Sequence, residues 1–293
     1  MAYGIIFDLD GTLADTMDDL KTAINSTLSI LGYETRTKFE LLNFINNGSR
    51  EFVRRSLPTA VQGEKFIIES ALNIYSQEYE KCFCSKTRAY PGIYETLLEL
   101  KKRKFRLGVL SNKPHQFVVE IISKLFGNNT FDFVMGQSDM PRKPDPTSAI
   151  YVAKEIGVKP SKCIFIGDSD IDIKTAQNAD MRSIGVSWGY RKIDLLMSTG
   201  ANYIAESPAQ IVEHATECVR IIKLEKKQNR GRLPSEEEAH ALHTKKRHLT
   251  DIERASEKPH SDKPTSSAKQ DPEKRSAQKP PKLPTKRIGD HHK

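Results

Sequence analysis

Gly4-Ile5-Ile6-Phe7-Asp8-Leu9-Asp10-Gly11-Thr12 is the stretch of this chain that decides its fold. Its short, unbroken apolar run, rich in Ile and Phe, fits a strand buried on both faces, as in a parallel sheet. The run stops at Asp8, and Gly11 permits a tight bend just beyond it. Two carboxylates one residue apart then stand where a buried strand ends.

Working outward, comparable apolar runs recur at 105–110, 131–135, 163–166, 183–187 and 202–204. Between them lie helical patterns at 93–103, 114–126, 146–157, 171–178 and 208–223. Ser207-Pro208 reads as an N-cap followed by proline at the first helical position. Strands alternating with helices predict an α/β fold, a doubly wound parallel sheet. One interval breaks the alternation. Between residues 15 and 85 the pattern is helical throughout, with amphipathic stretches at 17–31, 38–45, 50–57 and 64–84. The expected organisation is an α/β core, 1–14 and 87–221, with an inserted all-helical cap, 15–86. Ligands of open α/β sheets sit at the carboxyl ends of the strands, and both cap linkers emerge there.

The chain has 293 residues and a net charge of +8. From 222 to 293 there are 19 Lys/Arg against 11 Asp/Glu, a surplus of 8, so residues 1–221 are neutral with 27 of each sign. The same stretch has seven of the fifteen prolines and no aromatic residue. It cannot bury enough apolar surface to offset its ordering entropy. A basic, mostly disordered tail is expected at 222–293, with a fraying helix near the capping-box-like Ser235-Glu236-Glu237-Glu238. Such a tail suits non-specific contact with an acidic partner or nucleic acid; without aromatics, base stacking is not expected. The four cysteines, Cys82, Cys84, Cys163 and Cys218, contain no C-x-x-C pair and read as reduced thiols. No apolar run reaches membrane-span length and the start is not a signal peptide, so a cytoplasmic location is expected.

Four clusters at predicted strand ends carry chemistry. In Asp8-Leu9-Asp10-Gly11-Thr12 one carboxylate can attack phosphorus while the other exchanges protons with the leaving oxygen and with water. Ser111-Asn112-Lys113-Pro114 offers a hydroxyl and backbone N–H groups to phosphate oxygens where a helix opens. In Arg142-Lys143-Pro144 the lysine can neutralise charge on a transferring group. Gly167-Asp168-Ser169-Asp170-Ile171-Asp172 gathers hard oxygen ligands that favour Mg2+. Each cluster alone has a plainer reading: a solvated turn, an ordinary N-cap, a surface lysine, acids on a helix's first turn. Four together, in this order and each at a strand end, are improbable as independent accidents.

The order DLDGTLADT, SNKP, RKPDP, GDSDID resembles the four motifs of the haloacid dehalogenase superfamily of aspartate-nucleophile phosphatases, over residues 1 to about 220. The resemblance implies a Rossmann-like core. It makes Asp8 the nucleophile and a metal ligand, and Asp10 the general acid/base, which also lends its backbone carbonyl to the metal. Ser111 and Asn112 would bind phosphate and Lys143 would be the third-motif lysine. Asp168 would complete the protein ligands of Mg2+, with Asp172 supporting the metal or its water; Asp170 has no assigned role. Asp10 argues against the dehalogenases themselves, which lack an acid there.

The helical insert, the stretch 44–55 and Ser187-Trp188-Gly189-Tyr190 are similar to the phosphoglycolate phosphatase group, whose cap loop meets the substrate. Asn47, Gly48 and Arg50 are the corresponding candidates here. Two places depart from the group: Ile45-Asn46 stands where Val-Gly is usual, and Asn178-Ala179-Asp180 replaces an Ala-Gly ending. The expected function is Mg2+-dependent hydrolysis of a small-molecule phosphate ester, 2-phosphoglycolate favoured. The alternatives are a pyrophosphatase, nucleotidase or sugar phosphatase of the same superfamily, or an inactive phosphatase fold displaying the tail. The intact acids Asp8, Asp10, Asp168 and Asp172 favour an enzyme over such a scaffold.

Overall fold

The structure is a computed structural model that describes residues 2–229. In chain order the elements are β1 (Gly4–Phe7), β2 (Ala14–Asp15), α1 (Met17–Ile30), α2 (Lys38–Phe44), α3 (Ser49–Ser56), α4 (Lys65–Cys82), β3 (Arg88–Ala89), α5 (Ile93–Lys102) and β4 (Arg106–Pro114). They continue with α6 (His115–Phe126), β5 (Phe133–Gln137), α7 (Thr147–Glu155), β6 (Cys163–Gly167), α8 (Asp170–Asn178), β7 (Arg182–Val186), α9 (Ile193–Thr199), β8 (Tyr203–Ala205) and α10 (Pro208–Asn229).

Six strands form one sheet in the order β5-β4-β1-β6-β7-β8. Every pairing in it is parallel. Strand β1 lies between β4 and β6, with Phe7 level with Val109 on one side and Ile166 on the other. The first, second and fourth clusters therefore leave the sheet from adjacent strands at one edge, where the strand order reverses. Side chains alternate across the sheet as the pleat requires. Ile5, Phe7, Ile164 and Ile166 enter one buried cluster with helices α5, α6 and α10. Ile6 and Phe165 enter another, with α7 and α8, on the opposite face.

Helices α1 to α4 build a third core from Met17, Ile24, Leu28, Leu41, Phe52, Val53, Ile68 and Tyr75. Phe117 of α6 joins it, and packs edge-on against Tyr79 with ring centroids 4.9 Å apart. Apolar side chains spaced three and four apart put one stripe of each helix into this core. Thr37 opens α2 with a capping box: its side chain accepts from Glu40 N, and the Glu40 carboxylate accepts from Thr37 N.

Several sequence expectations are revised. Residues 14–15 and 88–89 pair as a short antiparallel ribbon, β2 with β3, where the chain leaves and rejoins the core. Two-residue strands are too short to show a period-2 pattern. Helix α9 was not anticipated; Gly200 in the left-handed region closes it after only seven residues. Helix α10 continues to Asn229, so residues 222–229, assigned to the tail by composition, are helical. Arg182 of β7 donates to Glu225 of this extension. The rest of the expected tail, with its capping-box-like segment, lies outside the described residues. Among those described, no helix is long and apolar enough to cross a membrane.

Asp19 of α1 pins the returning linker. It is buried, and its carboxylate accepts from Lys86 N at 2.9 Å, Thr87 N at 2.9 Å and Thr87 Oγ1 at 2.7 Å. Asp19→Ala is expected to lower unfolding stability by about 2–3 kcal/mol, because it strands the buried N–H and hydroxyl of Thr87. Urea or thermal unfolding measures this; a loss below about 0.5 kcal/mol would exclude the clamp.

Candidate active site

Asp8 is the first residue past β1, and its N–H still bonds to Ile166 O at 2.9 Å. The chain then folds back on itself, with the N–H groups of Thr12, Leu13 and Ala14 all donating to Leu9 O. Gly11 makes this turn with φ +84°, and a Cβ there would meet Asp168 Oδ2 at 2.4 Å, so both conformation and space require glycine. Trp188 Nε1 donates to Thr12 O at 3.1 Å, fastening the turn from the β7 side.

Past β6, Ser169 caps α8. Its hydroxyl donates to Asp172 Oδ2 at 2.6 Å, and the Asp172 N–H returns a bond to Ser169 Oγ. This cap turns Asp172 inward. Asp168, fully buried, accepts from Tyr190 N at 2.6 Å through Oδ2, while its Oδ1 has no hydrogen-bond partner among the described residues. One oxygen each of Asp8, Asp168 and Asp172 lie within 4.8 Å of one another, and all three residues are buried. Burial, reinforced by Asp172 and Asp10 and opposed by Lys143, pushes the Asp8 carboxyl up to about 7. Burial likewise holds Asp168 well above the usual carboxylate range.

Lys143 meets this cluster directly. Its Nζ lies 2.7 Å from Asp8 Oδ1 and 2.7 Å from Asp172 Oδ1. Burial alone would lower the lysine, but Asp172 and Asp8 reverse that and hold it above its ordinary value. Its loop is fixed by Asn112: Lys143 N donates to Asn112 Oδ1 at 3.0 Å, and Asn112 Nδ2 donates to Lys143 O at 3.1 Å. A second lysine, Lys113, reaches Asp10 Oδ1 at 2.8 Å and lies over the Tyr79 ring. Thr16 Oγ1 donates to the same Asp10 oxygen.

The cap closes over these groups, leaving a cavity of about 50 Å³ whose walls include Asp8, Asp10, Ser111, Lys113 and Lys143 below and Ile45, Asn46, Gly48, Phe52 and Tyr75 above. Three core side chains grip main-chain oxygens in the last turn of α2 and just past it. Arg191 donates to Leu42 O and, at 2.9 Å, to Ile45 O. Asn112 Nδ2 donates to Asn46 O at 3.2 Å, and Arg142 donates to Asn47 O at 3.2 Å. Cationic donors at a helix carboxyl end meet both the orphaned carbonyls and the negative end of the dipole.

Asp8, Asp10, Ser111, Asn112, Gly48 and Lys143 thus meet around one cavity, with Asp168 and Asp172 beside Asp8. The side chain of Asp10 stands apart from the acidic trio, paired with Lys113. Asn47 and Arg50 line instead an outer cleft of about 350 Å³, where Arg50 is bonded to Glu69 at 2.7 Å. Asp170 points away and pairs with Lys174. Sequence reasoning did not select Lys113, Thr16, Tyr190, Arg191 or Asn46. Lys113 stood inside a recognised cluster, and Tyr190 inside a recognised stretch; Arg191 carries no signal beyond adjacency to it.

Residues 5–186 match the family model described as haloacid dehalogenase-like hydrolase. The chain therefore belongs to the haloacid dehalogenase-like hydrolases. A phosphoglycolate phosphatase of Psychrobacter arcticus is 37% identical over 192 residues, covering 64% of this chain and 84% of the relative. One from Pseudomonas putida is 30% identical over 213 residues, covering 71% and 75%. A crystal structure from Lactobacillus delbrueckii superposes with TM-score 0.68 at 32% identity, over 73% of this chain and 99% of that one. By enzyme class the chain is a phosphoric monoester hydrolase, similar to the phosphoglycolate phosphatases.

Arg191→Met is expected to loosen the cap while leaving the sheet intact. Amide hydrogen exchange across α2 should accelerate by roughly tenfold, the scale of a lost charge-assisted bond, with β1 and β6 unchanged. Unaltered protection of α2 would show that the arginine grip does not hold the closed state.

Proposed function

We propose that this phosphatase hydrolyses small phosphomonoesters, 2-phosphoglycolate foremost, with Mg2+ and through an aspartyl-phosphate. The observation that carries the proposal is the buried contact of Asp8 with Lys143 beside the acidic trio, at the mouth of three adjacent strands. The names of its relatives support the choice of ester.

Asp8, as carboxylate, attacks phosphorus, and its O–P bond forms as the ester O–P bond breaks. Asp10, oriented through Oδ1 by Thr16 and Lys113, passes a proton carried on its other carboxyl oxygen to the departing alkoxide. The ionised Asp10 then takes a proton from water, whose oxygen cleaves the acyl phosphate and returns Asp8 as carboxylate with inorganic phosphate. Lys143 offsets charge on the transferring group, and the Ser111 hydroxyl offers it a hydrogen bond. Cap closure excludes bulk water from the acyl phosphate until the alcohol has left.

The acidic trio fits a hard divalent cation: its donors are all oxygens, they lie close together, and the buried Asp168 Oδ1 has no protein partner among the described residues. Asp8 and Asp168 would hold Mg2+, with Asp172 and the Asp10 backbone carbonyl as further ligands. Once bound, the ion supplies positive charge that offsets repulsion between carboxylate and phosphate.

Asp8→Asn is expected to cut kcat by roughly a thousandfold or more, with the thermal midpoint near wild type; near-normal turnover would sink the covalent route. A second expectation concerns pH. Burial pushes Asp8 and Asp168 upward in the folded state. For Asp8, stability is therefore lost as pH rises from its ordinary 3.8 to about 7, and the upward push on Asp168 acts in the same direction. A cation that needs both ionised binds with proton release, so its stabilisation grows over that same window. The Tm increment from added MgCl2 should accordingly be larger near pH 8 than near about pH 5.5. An increment that is flat or falls with pH would count against these carboxylates as the ligands.

A further inference from the structure

Thr16 is the N-cap of α1, yet its hydroxyl makes no capping bond. A threonine in that position ordinarily accepts from a backbone N–H of the helix's first turn. Here the hydroxyl is turned away from the helix and donates to Asp10 Oδ1, while Asp15 Oδ1 accepts from Met17 N at 3.1 Å. On the other side of Thr16 stands Tyr190. Its phenol oxygen accepts from Thr16 N at 2.9 Å and lies 3.2 Å from Thr16 Oγ1.

A hydroxyl has one proton to give. Thr16 places its own on Asp10, so towards Tyr190 its oxygen can only accept. The tyrosine O–H is shared between Thr16 Oγ1 and Asp15 Oδ1, the latter at 3.3 Å. The phenol thus fixes the Thr16 backbone and opposes rotation of its hydroxyl away from Asp10. Thr16 is fully buried, and linked hydrogen bonds strengthen one another where water is excluded.

Tyr190 is itself held from both ends. Its N–H donates to Asp168 Oδ2 at 2.6 Å, and its ring packs against the core of the cap. That close approach depends on Gly189, where an added Cβ would lie 2.1 Å from Asp168 Cβ and 2.6 Å from Gly11 O.

We infer that Tyr190 is a positioning residue for the general acid: acting through Thr16, it aims Asp10 at the leaving oxygen. This inference rests on the phosphatase mechanism proposed above.

The role carries a dependence on the leaving group. An alkoxide needs a proton as it departs, whereas the acetate released from acetyl phosphate leaves without one. kcat/KM reports the steps up to that departure, before Asp10 acts on water. Tyr190→Phe keeps the ring and the backbone bond to Asp168 and removes only the hydroxyl. The test uses the full chain with MgCl2 and the alkyl ester that wild type hydrolyses best, 2-phosphoglycolate in the reading above. Tyr190→Phe should lower kcat/KM for that ester by roughly tenfold, and for acetyl phosphate by less than about twofold. Thr16→Val should show the same selective loss. Adding Tyr190→Phe to it should cost nothing further, because the tyrosine acts through the threonine. Equal losses on the two substrates, no loss on either, or losses that add in the double variant overturn the inference and leave the phosphatase proposal standing. A Tyr190→Phe chain that does not fold assigns the hydroxyl to stability and overturns it as well. Folded wild type that hydrolyses no alkyl ester overturns both together.

Discussion

Carboxylates crowded where water is excluded repel one another, and in this chain Lys143 meets that repulsion from a position 2.7 Å from both Asp8 and Asp172. Each buried charge is costly alone and tolerable only in company. The arrangement constrains much around it. Asn112 must hold the Lys143 loop from both its amide atoms, Ser169 must turn Asp172 inward, and Gly11 must leave room for Asp168. The parallel sheet brings these groups together because β1 is flanked by β4 and β6, so three loops distant in sequence share one edge. The upward push on Asp8 and Asp168 belongs to the same economy of charge, and an ion or a phosphate entering the site changes the balance for every member.

The lid is attached by two means that differ in kind. Its hinge is polar and buried, with Asp19 clamping the residues that lead into β3. Its leading edge is held by side chains of the core, Arg191, Asn112 and Arg142, reaching for carbonyls. Between them lies an aromatic series in which Phe52, Tyr75, Tyr79 and Phe117 pack edge-on or stacked. This series joins the cap's core to α6, giving the closed form an apolar contact as well as its polar fastenings.

Much of this was legible in the sequence, for reasons that can be named. Strands buried on both faces announce themselves as apolar runs, and the acids that end them stand out against such runs, so β1, β6 and their carboxylates could be placed by residue. The amphipathic stripes of α1 and α4 marked the helical insert. What could not be read was pairing at a distance. Nothing local distinguishes Asn112, whose amide braces a loop thirty-one positions away, from an N-cap. Nothing local ties Arg191 to α2 or Lys113 to Asp10. Arg50 stood in a suggestive stretch, yet Glu69 of the neighbouring helix engages it. The composition break at 222 marked a change in burial rather than the end of a helix, since an exposed helical turn and a solvated tail draw on the same residues.

The grip on the end of α2 and the residues past it falls on main-chain oxygens, and this has a bearing on how such an enzyme diversifies. A carbonyl is present whatever amino acid carries it. A substitution at Asn46, which lines the cavity, can therefore alter the inner surface of the cap while keeping the carbonyl that fastens it. The fastening is written in three side chains of the core, while the cap wall that faces the cavity is written in Ile45, Asn46 and Gly48. An Asn in place of a Gly at position 46 is the sort of variation such a division of labour permits.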